Sequence, residues 1–204
     1  MKVTKFTHSC VRLEKDGRVL VIDPGVWSEH TALRGADAVL VTHGHGDHVD
    51  VLRVAGAGVP VYAPAGAELP GLSPTFLSGG ETRDVAGFAV TAVGVAHAAV
   101  HKGLPSLPHL GYLVDDLYHP GDSVRPPGDS VLPPGVDVAT LLVPMQASWL
   151  KTSEAMDLIR AVDPALAIGI HEGQLNDRGI HAVNGWLGQA SPRYRYVPPG
   201  EAVR

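Results

Sequence analysis

Short runs of apolar and β-branched residues alternate with glycine- and proline-rich turns along the whole chain. Runs of this length and composition are typical of β-strands. They predict strands over Lys2–Thr7, Cys10–Glu14, Arg18–Ile22, Ala38–Thr42, Val59–Ala63, Phe88–Ala96, Tyr112–Val114, Val138–Val143, Leu166–Ile170 and Tyr194–Val197. The turn Lys15-Asp16-Gly17 lies between the second and third runs and indicates a β-hairpin there.

Helical periodicity is clearest over Thr152–Ala161. Met156, Ile159 and Val162 recur at helical spacing, and Asp163-Pro164 ends the pattern. Shorter helices are predicted over His48–Ala55 and His181–Gly188. Many short strands with a few interspersed helices favour a layered α/β fold class.

The length and composition indicate a single folded unit. The chain has 204 residues, of which 45% are hydrophobic and 18% are charged, as is ordinary for globular domains. We therefore predict one domain over residues 1–204. The proline- and glycine-rich segment Ser123–Gly135 is interpreted as a surface loop of that domain, because it lies between two apolar runs.

Charge and hydropathy argue against several classes of partner. The net charge is −5 and the basic residues form no stripe, so we expect neither nucleic acid nor anionic lipid to bind. The most apolar stretch, Ala89–Val100, is too short to span a bilayer, and the N-terminus lacks the apolar run of a signal peptide. We predict a cytoplasmic protein that acts on a small molecule; the sequence leaves its oligomeric state open.

Histidine is unusually frequent, with 11 residues against a single cysteine. One cysteine can form neither an intramolecular disulfide nor a thiolate zinc cage. Cys10 is therefore interpreted as a small buried apolar residue. Any metal site in this chain must consequently use imidazole and carboxylate ligands.

The strongest local signal is the segment Thr42-His43-Gly44-His45-Gly46-Asp47-His48, which directly follows a predicted buried strand. His43 and His45 occupy alternate positions, so both side chains would point toward one ion if the strand geometry persisted. Gly44 and Gly46 permit unusual dihedral angles, which would let the backbone wrap around a metal. Clusters of nitrogen and oxygen ligands at this density are typical of metal sites.

This segment resembles the HxHxDH signature of the metallo-β-lactamase superfamily. The resemblance implies a four-layer αβ/βα sandwich that binds one or two metal ions at one edge of its paired sheets. It also places Asp47 and His48 near the start of the following helix, facing a second ion. Three further ligands are implied downstream, and each has a candidate in this chain.

The first implied downstream ligand is a histidine after a strand in the middle of the chain. His97 follows the run Phe88–Ala96, whereas His101 and His109 lie farther along. We favour His97, because the end of a strand fixes a ligand better than a loop does.

The remaining two implied ligands are an aspartate and a late histidine. Asp122 lies in a Gly-Asp-Ser context after a strand-like run, whereas Asp129 repeats that context inside the proline-rich loop and is interpreted as a turn former. His171 directly follows the predicted strand Leu166–Ile170, and His181 is interpreted as a surface or packing residue.

The complete set implied by the resemblance consists of His43, His45, Asp47, His48, His97, Asp122 and His171. One ion would be held by His43, His45 and His97, and the other by Asp47, His48 and His171, with Asp122 bridging the two. We therefore predict two divalent ions. Imidazole and carboxylate ligands suit Zn²⁺ and equally admit Mn²⁺ or Fe²⁺.

The activity implied by the resemblance is metal-dependent hydrolysis of a small ester, lactone or phosphate ester by a metal-bridging hydroxide. Asp47 and Asp122 are the predicted catalytic residues, since Asp47 could orient the nucleophile or pass on its proton. His8, His101 and His109 are predicted substrate contacts. The alternative for His8, of equal weight, is a hairpin-turn histidine, and the alternative for His101 and His109 is a solvent-exposed loop histidine.

The chain is closest in appearance to the L-ascorbate-6-phosphate lactonase-like group. The segments that carry this resemblance are Phe6–Glu14, Ile22-Asp23-Pro24-Gly25 and Leu110–Val114. Residues 123–170 contain no tyrosine, which departs from the pattern of the acyl-homoserine-lactone lactonases. Two alternatives are an iron-dependent redox or sulfur dioxygenase on the same fold and a non-catalytic metal-binding protein.

Overall fold

Two mixed β-sheets form the centre of the structure, a computed structural model that describes residues 1–125 and 137–203. The strands are β1 Lys2–Lys5, β2 Val11–Lys15, β3 Arg18–Ile22, β4 Ala38–Leu40, β5 Val61–Pro64, β6 Thr75–Leu77, β7 Thr82–Val85, β8 Phe88–Val93, β9 Gly111–Val114, β10 Leu117–His119, β11 Thr140–Pro144, β12 Leu166–Ile170 and β13 Tyr194–Arg195. The helices are α1 Val51–Ala57, α2 Thr152–Val162 and α3 Asp177–Ala190, and a short 3-10 helix covers His30–Leu33.

Each sheet is antiparallel in one half and parallel in the other. The first sheet has the order β1-β2-β3-β4-β5-β6, with antiparallel pairing from β1 to β3 and parallel pairing from β3 to β6. The second has the order β13-β12-β11-β10-β9-β8-β7, parallel from β13 to β10 and antiparallel from β10 to β7.

The central strands are buried on both faces, which explains their nearly continuous apolar sequences. In β3, Leu20 and Ile22 pack between the sheets, whereas Val19 and Val21 pack outward beneath α1 and the 3-10 helix. In the second sheet, alternate residues of β11 likewise face the inner core and the layer formed by α2 and α3. This order of layers confirms the predicted four-layer αβ/βα fold class.

The predicted strands are largely present, but the boundaries differ where loops begin. The predictions Ala38–Thr42 and Phe88–Ala96 ran past the ends of β4 and β8 at Leu40 and Val93. The sequence analysis missed β6 and β7, because their side chains are mostly exposed and lack an apolar period.

The helix predicted from Thr152 begins there, as α2, but the other two begin at different residues from those predicted. The helix expected from His48 begins at Val51, because the Asp50 side chain accepts a hydrogen bond from the backbone N–H of Arg53 and caps it. Similarly, α3 begins at Asp177, where the Asn176 side chain caps it. Within the described residues, no helix is long and apolar enough to cross a membrane. Much of the predicted loop Ser123–Gly135, including Asp129, lies outside the described residues, which omit 126–136.

Polar residues converge at one edge of the sandwich, because the chain leaves several strands in the same direction there. The loops after β1, β3 and β4 of the first sheet meet the loops after β8, β10 and β12 of the second. In sheets of this kind, the carboxyl ends of the strands are the usual place for a functional site.

Within this edge, the turn after β3 lies directly against the loop of residues 43–48. Hydrogen bonds join the N–H of Val26 to the carbonyl of Gly46 (2.9 Å) and the N–H of Asp50 to the carbonyl of Pro24 (3.0 Å). A Cβ atom on Gly25 would lie 1.8 Å from the carbonyl oxygen of Asp47. Only glycine therefore permits this approach between the two loops.

Replacing Gly25 by alanine should destabilise the protein by about 1–3 kcal/mol, because the added methyl forces the two loops apart. The free energy of unfolding, measured by urea titration, tests this. Gly46→Ala is the matched control, since a Cβ there meets nothing within 4 Å, and we expect it to change stability by less than about 0.5 kcal/mol. Equal effects of the two substitutions would contradict the assignment.

Candidate metal centre

Two clusters of histidine and aspartate side chains lie at this edge of the sandwich. Cluster 1 contains His43, His45, His97 and Asp122, and cluster 2 contains His8, Asp47, His48 and His171. Within each cluster, one nitrogen or oxygen atom per residue lies within 4.8 Å of all the others. The structure thus brings together all seven residues of the predicted ligand set, and it adds His8.

In cluster 1, the imidazoles of His43 and His45 face each other, with His43 Nε2 3.0 Å from His45 Nδ1. Asp122 Oδ2 lies 3.5 Å from His97 Nε2 and 3.9 Å from His43 Nε2. In cluster 2, His48 Nε2 lies 3.4 Å from His171 Nε2.

Asp122 lies between the two clusters. Its Oδ2 faces cluster 1, whereas its Oδ1 lies 2.9 Å from His48 Nε2 and 3.1 Å from His171 Nε2. Burial opposes ionisation of Asp122, but His48 and His171 outweigh burial and hold the pKa of this carboxyl well below its usual range. The bridging position implied by the family resemblance is therefore occupied by an ionised carboxylate.

The second ring nitrogen of each of four histidines bonds to a fixed partner. His97 Nδ1 lies 2.7 Å from the carbonyl oxygen of Ala98, and His171 Nδ1 bonds to the carbonyl oxygen of Gln146. Since a carbonyl only accepts, both Nδ1 atoms carry a proton, and these bonds turn both Nε2 atoms toward the clusters.

The carboxylate of Asp23 supports the other two imidazoles. Its Oδ2 lies 2.7 Å from His48 Nδ1 and accepts the Thr42 hydroxyl at 2.6 Å, and its Oδ1 accepts the Thr42 N–H at 2.7 Å. The same Thr42 hydroxyl lies 3.1 Å from His43 Nδ1. One carboxylate thus orients both His43 and His48, in the manner of the outer partners of metal-binding histidines.

The electrostatics of His48 follow from its two carboxylate neighbours. Burial alone would lower its pKa, but Asp122 and Asp23 raise the pKa well above the usual value. His43 lacks such a pair, and burial keeps its pKa well below the usual value. The two buried carboxylates therefore favour the protonated form of His48.

His8 lies in the turn between β1 and β2 and supports Asp47. The N–H of Gly173 donates to His8 Nδ1 at 3.2 Å, so Nε2 carries the proton and donates to Asp47 Oδ2 at 3.1 Å. Burial lowers the pKa of His8 to about 4, which keeps the ring neutral. The backbone N–H of His8 is in turn held by Glu172 at 3.1 Å. His8 faces the cleft as predicted, and this geometry assigns it to holding Asp47.

Three of these residues adopt left-handed backbone conformations, with φ of 67° at His8, 50° at Asp23 and 63° at His171. This region costs a non-glycine residue roughly 1–2 kcal/mol. The side chains of all three residues point into the site. A substitution by glycine would relieve the backbone strain, but it would also remove the interactions of that side chain. Strain of this kind is typical of functional sites.

The two glycines of the motif do not act as predicted. Neither Gly44 nor Gly46 has a positive φ. The loop instead turns through hydrogen bonds from the N–H groups of His48 and Val49 to the carbonyl of His45. Gly44 is constrained by packing, because a Cβ there would lie 3.1 Å from the carbonyl oxygen of Glu68.

His97 reaches cluster 1 from a loop, which corrects the argument that favoured it. β8 ends at Val93, so no strand end fixes this residue. The loop is held instead by a hydrogen bond of 2.8 Å from the N–H of Ala98 to the carbonyl of Asp122.

Two of the predicted substrate contacts lie outside the clusters. His109 is buried, and both ring nitrogens bond to backbone, with Nδ1 2.9 Å from the Val95 carbonyl and Nε2 accepting the Asp122 N–H at 3.0 Å. It therefore supports the Asp122 loop and has no ring nitrogen for a substrate. His101 is exposed on the loop after His97, where its Nδ1 accepts the N–H of Gly103.

Two residues of the site environment, Asp23 and His119, were not predicted as such, and Trp149 also contacts the site. Asp23 was noted only as part of a motif, although a charged residue directly after a buried strand was a usable signal. Trp149 donates its indole N–H to Asp122 Oδ2 at 3.0 Å. His119 is fully buried and its Nε2 bonds to the carbonyl of Ser9 at 2.8 Å, so it joins β10 to the His8 turn.

The two clusters fit divalent metal ions. Ligand atoms about 2.0–2.1 Å from a tetrahedral Zn²⁺ lie about 3.3 Å from one another. The six atom pairs described above are 2.9–3.9 Å apart, and the ligand atoms of each cluster all lie within 4.8 Å of one another. In addition, His97 Nε2 and Asp122 Oδ1 are buried without a partner in hydrogen-bond geometry. Buried polar atoms are rarely left unpaired, and a cation would satisfy both.

Comparison with known proteins gives relatives along most of the chain. "Protein Rv0786c" of Mycobacterium tuberculosis is 36% identical over 196 residues, covering 89% of each chain. The "UPF0173 metal-dependent hydrolase MK1542" of Methanopyrus kandleri is 27% identical over 201 residues, covering 85% of this chain and 84% of the relative.

Among solved structures, Igni18, described as a novel metallo hydrolase from Ignicoccus hospitalis, aligns with a TM-score of 0.71 at 20% identity. The alignment covers 99% of this chain and 97% of Igni18, and it demonstrates a shared fold. The family model of the beta-lactamase superfamily domain matches residues 2–171. The chain therefore belongs to the beta-lactamase superfamily and has the metallo-β-lactamase fold.

Proposed function

We propose that this protein is a metal-dependent hydrolase that uses two divalent ions, most simply Zn²⁺, to cleave a small ester, lactone or phosphate ester. The observation that carries the proposal is the ionised Asp122 carboxylate between two sets of imidazoles whose Nε2 atoms lie 2.9–3.9 Å from its oxygens. Relatives named as metal-dependent hydrolases support the same activity.

Each cluster would hold one ion. His43, His45 and His97 would hold one ion, Asp47, His48 and His171 the other, and Asp122 would contact both. Bound ions of this type supply Lewis acidity and activate water as a nucleophile near neutral pH. Burial opposes ionisation of Asp47, but the hydrogen bond from His8 and the nearby His48 together outweigh it and lower the pKa of this carboxyl to about 2. Asp47 therefore remains a carboxylate, able to accept a hydrogen bond from a nucleophile and orient it.

Removing the central carboxylate tests this proposal. Asp122→Ala should lose at least one of two bound ions and lower kcat/KM by more than about 100-fold, since even outer partners of metal ligands contribute 10–100-fold. Metal content by mass spectrometry and a screen of esters, lactones and phosphate esters provide the readouts.

Asp157→Ala is the control, because this carboxylate is 73% exposed on α2 and lies outside both clusters. Metal-loaded protein that turns over no substrate class, or turnover unchanged in Asp122→Ala, would contradict the proposal. One iron per chain would instead favour the redox alternative, and chelation that unfolds a protein inactive on every substrate would favour a non-catalytic role. The finer resemblance to the ascorbate-6-phosphate lactonase-like group is tested by including lactones and sugar phosphates.

A substitution of Asp23 provides a second test. It examines a residue that orients the metal-binding imidazoles without itself being a proposed ligand. Asp23→Asn keeps the shape of the side chain but replaces one acceptor oxygen by a donor, so it loses a hydrogen bond to His48 or Thr42. We expect metal affinity to fall about 10–100-fold, measured by competition with a chelator. Asp157→Asn should leave the affinity unchanged. An affinity unchanged in Asp23→Asn would show that this carboxylate does not orient the imidazoles.

A further inference from the structure

Two cavities open beside cluster 1 on the side of His45. The first, about 320 Å³, is lined by Gly44, His45, Gly66, Ala67, Glu68, Leu107 and Pro108. The second, about 180 Å³, is lined by His45, His97, residues 98–100 and residues 104–107. His45 and Leu107 belong to both linings, so the two cavities adjoin each other, and His45 places both beside cluster 1.

The loop of residues 98–107 gives these cavities their apolar character. Val100 is 54% exposed, Leu104 59% and Leu107 38%, although each is a large hydrophobic side chain. All three line the second cavity. Single exposed apolar residues are ordinary, but a group of them around a cleft that contains candidate catalytic groups is typical of a ligand site.

The charge of the lining restricts the ligand. Among the described residues that line the two cavities there is no lysine or arginine, and Glu68 is the one carboxylate outside the clusters. A phosphorylated or carboxylated substituent would find no cationic partner there and would face Glu68. A neutral aliphatic group avoids this repulsion and removes the exposed leucines from water.

We propose that Val100, Leu104 and Leu107, together with residues 66–68, form a subsite for the aliphatic acyl or alkyl part of an uncharged carboxylic ester or lactone. The scissile carbonyl of that substrate would lie at the histidine clusters. This inference rests on the proposed hydrolase function and narrows it from esters, lactones and phosphate esters to uncharged carboxylic ones. A water-sized group occupies about 30 Å³, so the second cavity alone holds a chain of about six such groups.

The test uses the zinc-loaded protein and the p-nitrophenyl esters of acetic, butyric and hexanoic acid, with bis-p-nitrophenyl phosphate for comparison. Each methylene that becomes fully buried strengthens binding about fourfold. We therefore expect kcat/KM to rise at least about 10-fold from acetate to hexanoate, and to exceed that for the phosphate diester.

The variants Leu107→Ser and Val100→Ser should each reduce this gain. Leu52→Ser is the matched control, because Leu52 is 83% exposed and lines neither cavity. A second readout does not depend on turnover: calorimetric binding of acetohydroxamate and hexanohydroxamate should show the same preference, reduced in Leu107→Ser.

The outcomes separate this inference from the function on which it rests. Turnover that is independent of chain length, or equally affected by Leu52→Ser, would overturn the subsite and leave the hydrolase function standing. Absence of turnover together with a chain-length preference in hydroxamate binding would overturn the function and support the subsite. If Leu104→Ser abolished sedimentation with phosphatidylcholine vesicles while chain length had no effect, the loop would be a membrane contact and the subsite would be wrong.

Discussion

Side chains from both sheets contact the buried carboxylate of Asp122. His43 and His48 reach it from the first sheet, and His97 and His171 reach it from the second. A buried charge is tolerated only where opposite charge and hydrogen bonds compensate for lost hydration. The surrounding imidazoles and the indole N–H of Trp149 provide that compensation. His45 and Asp47 add two further potential metal ligands, and the resulting environment suits cations.

The supporting residues explain why this arrangement is fixed before any ion binds. Asp23 holds His48 directly and His43 through Thr42, so one side chain sets two rings. Gly25 lets the turn that carries Asp23 approach the backbone of Asp47. The left-handed backbones of His8 and His171 are joined by a hydrogen bond of 3.0 Å from the N–H of His171 to the carbonyl of His8. Preorganisation of this kind reduces the reorganisation that binding would otherwise require.

The sequence predicted those parts of the site that are contiguous or that follow buried strands. The motif from His43 to His48 is contiguous, and β12 leads directly into His171. In both places a metal-ligating residue follows an apolar run, and this pattern is visible in the sequence. The order implied by the family resemblance located His97 and Asp122. Sequence could not reveal the role of Asp23, because its partners lie in a different loop, nor the need for glycine at position 25, which arises from contact with Asp47. The role of His109 was misjudged for the same reason: its two backbone partners come from separate segments.

Crystallography of zinc-loaded protein, with anomalous scattering recorded at the zinc edge, tests the central claim most directly. The account predicts two peaks. One should lie about 2.0–2.2 Å from ligand atoms of His43, His45 and His97, the other at the same distance from those of Asp47, His48 and His171, with Asp122 contacting both. A single peak remote from Asp122, or zinc bound only outside the two clusters, would contradict it.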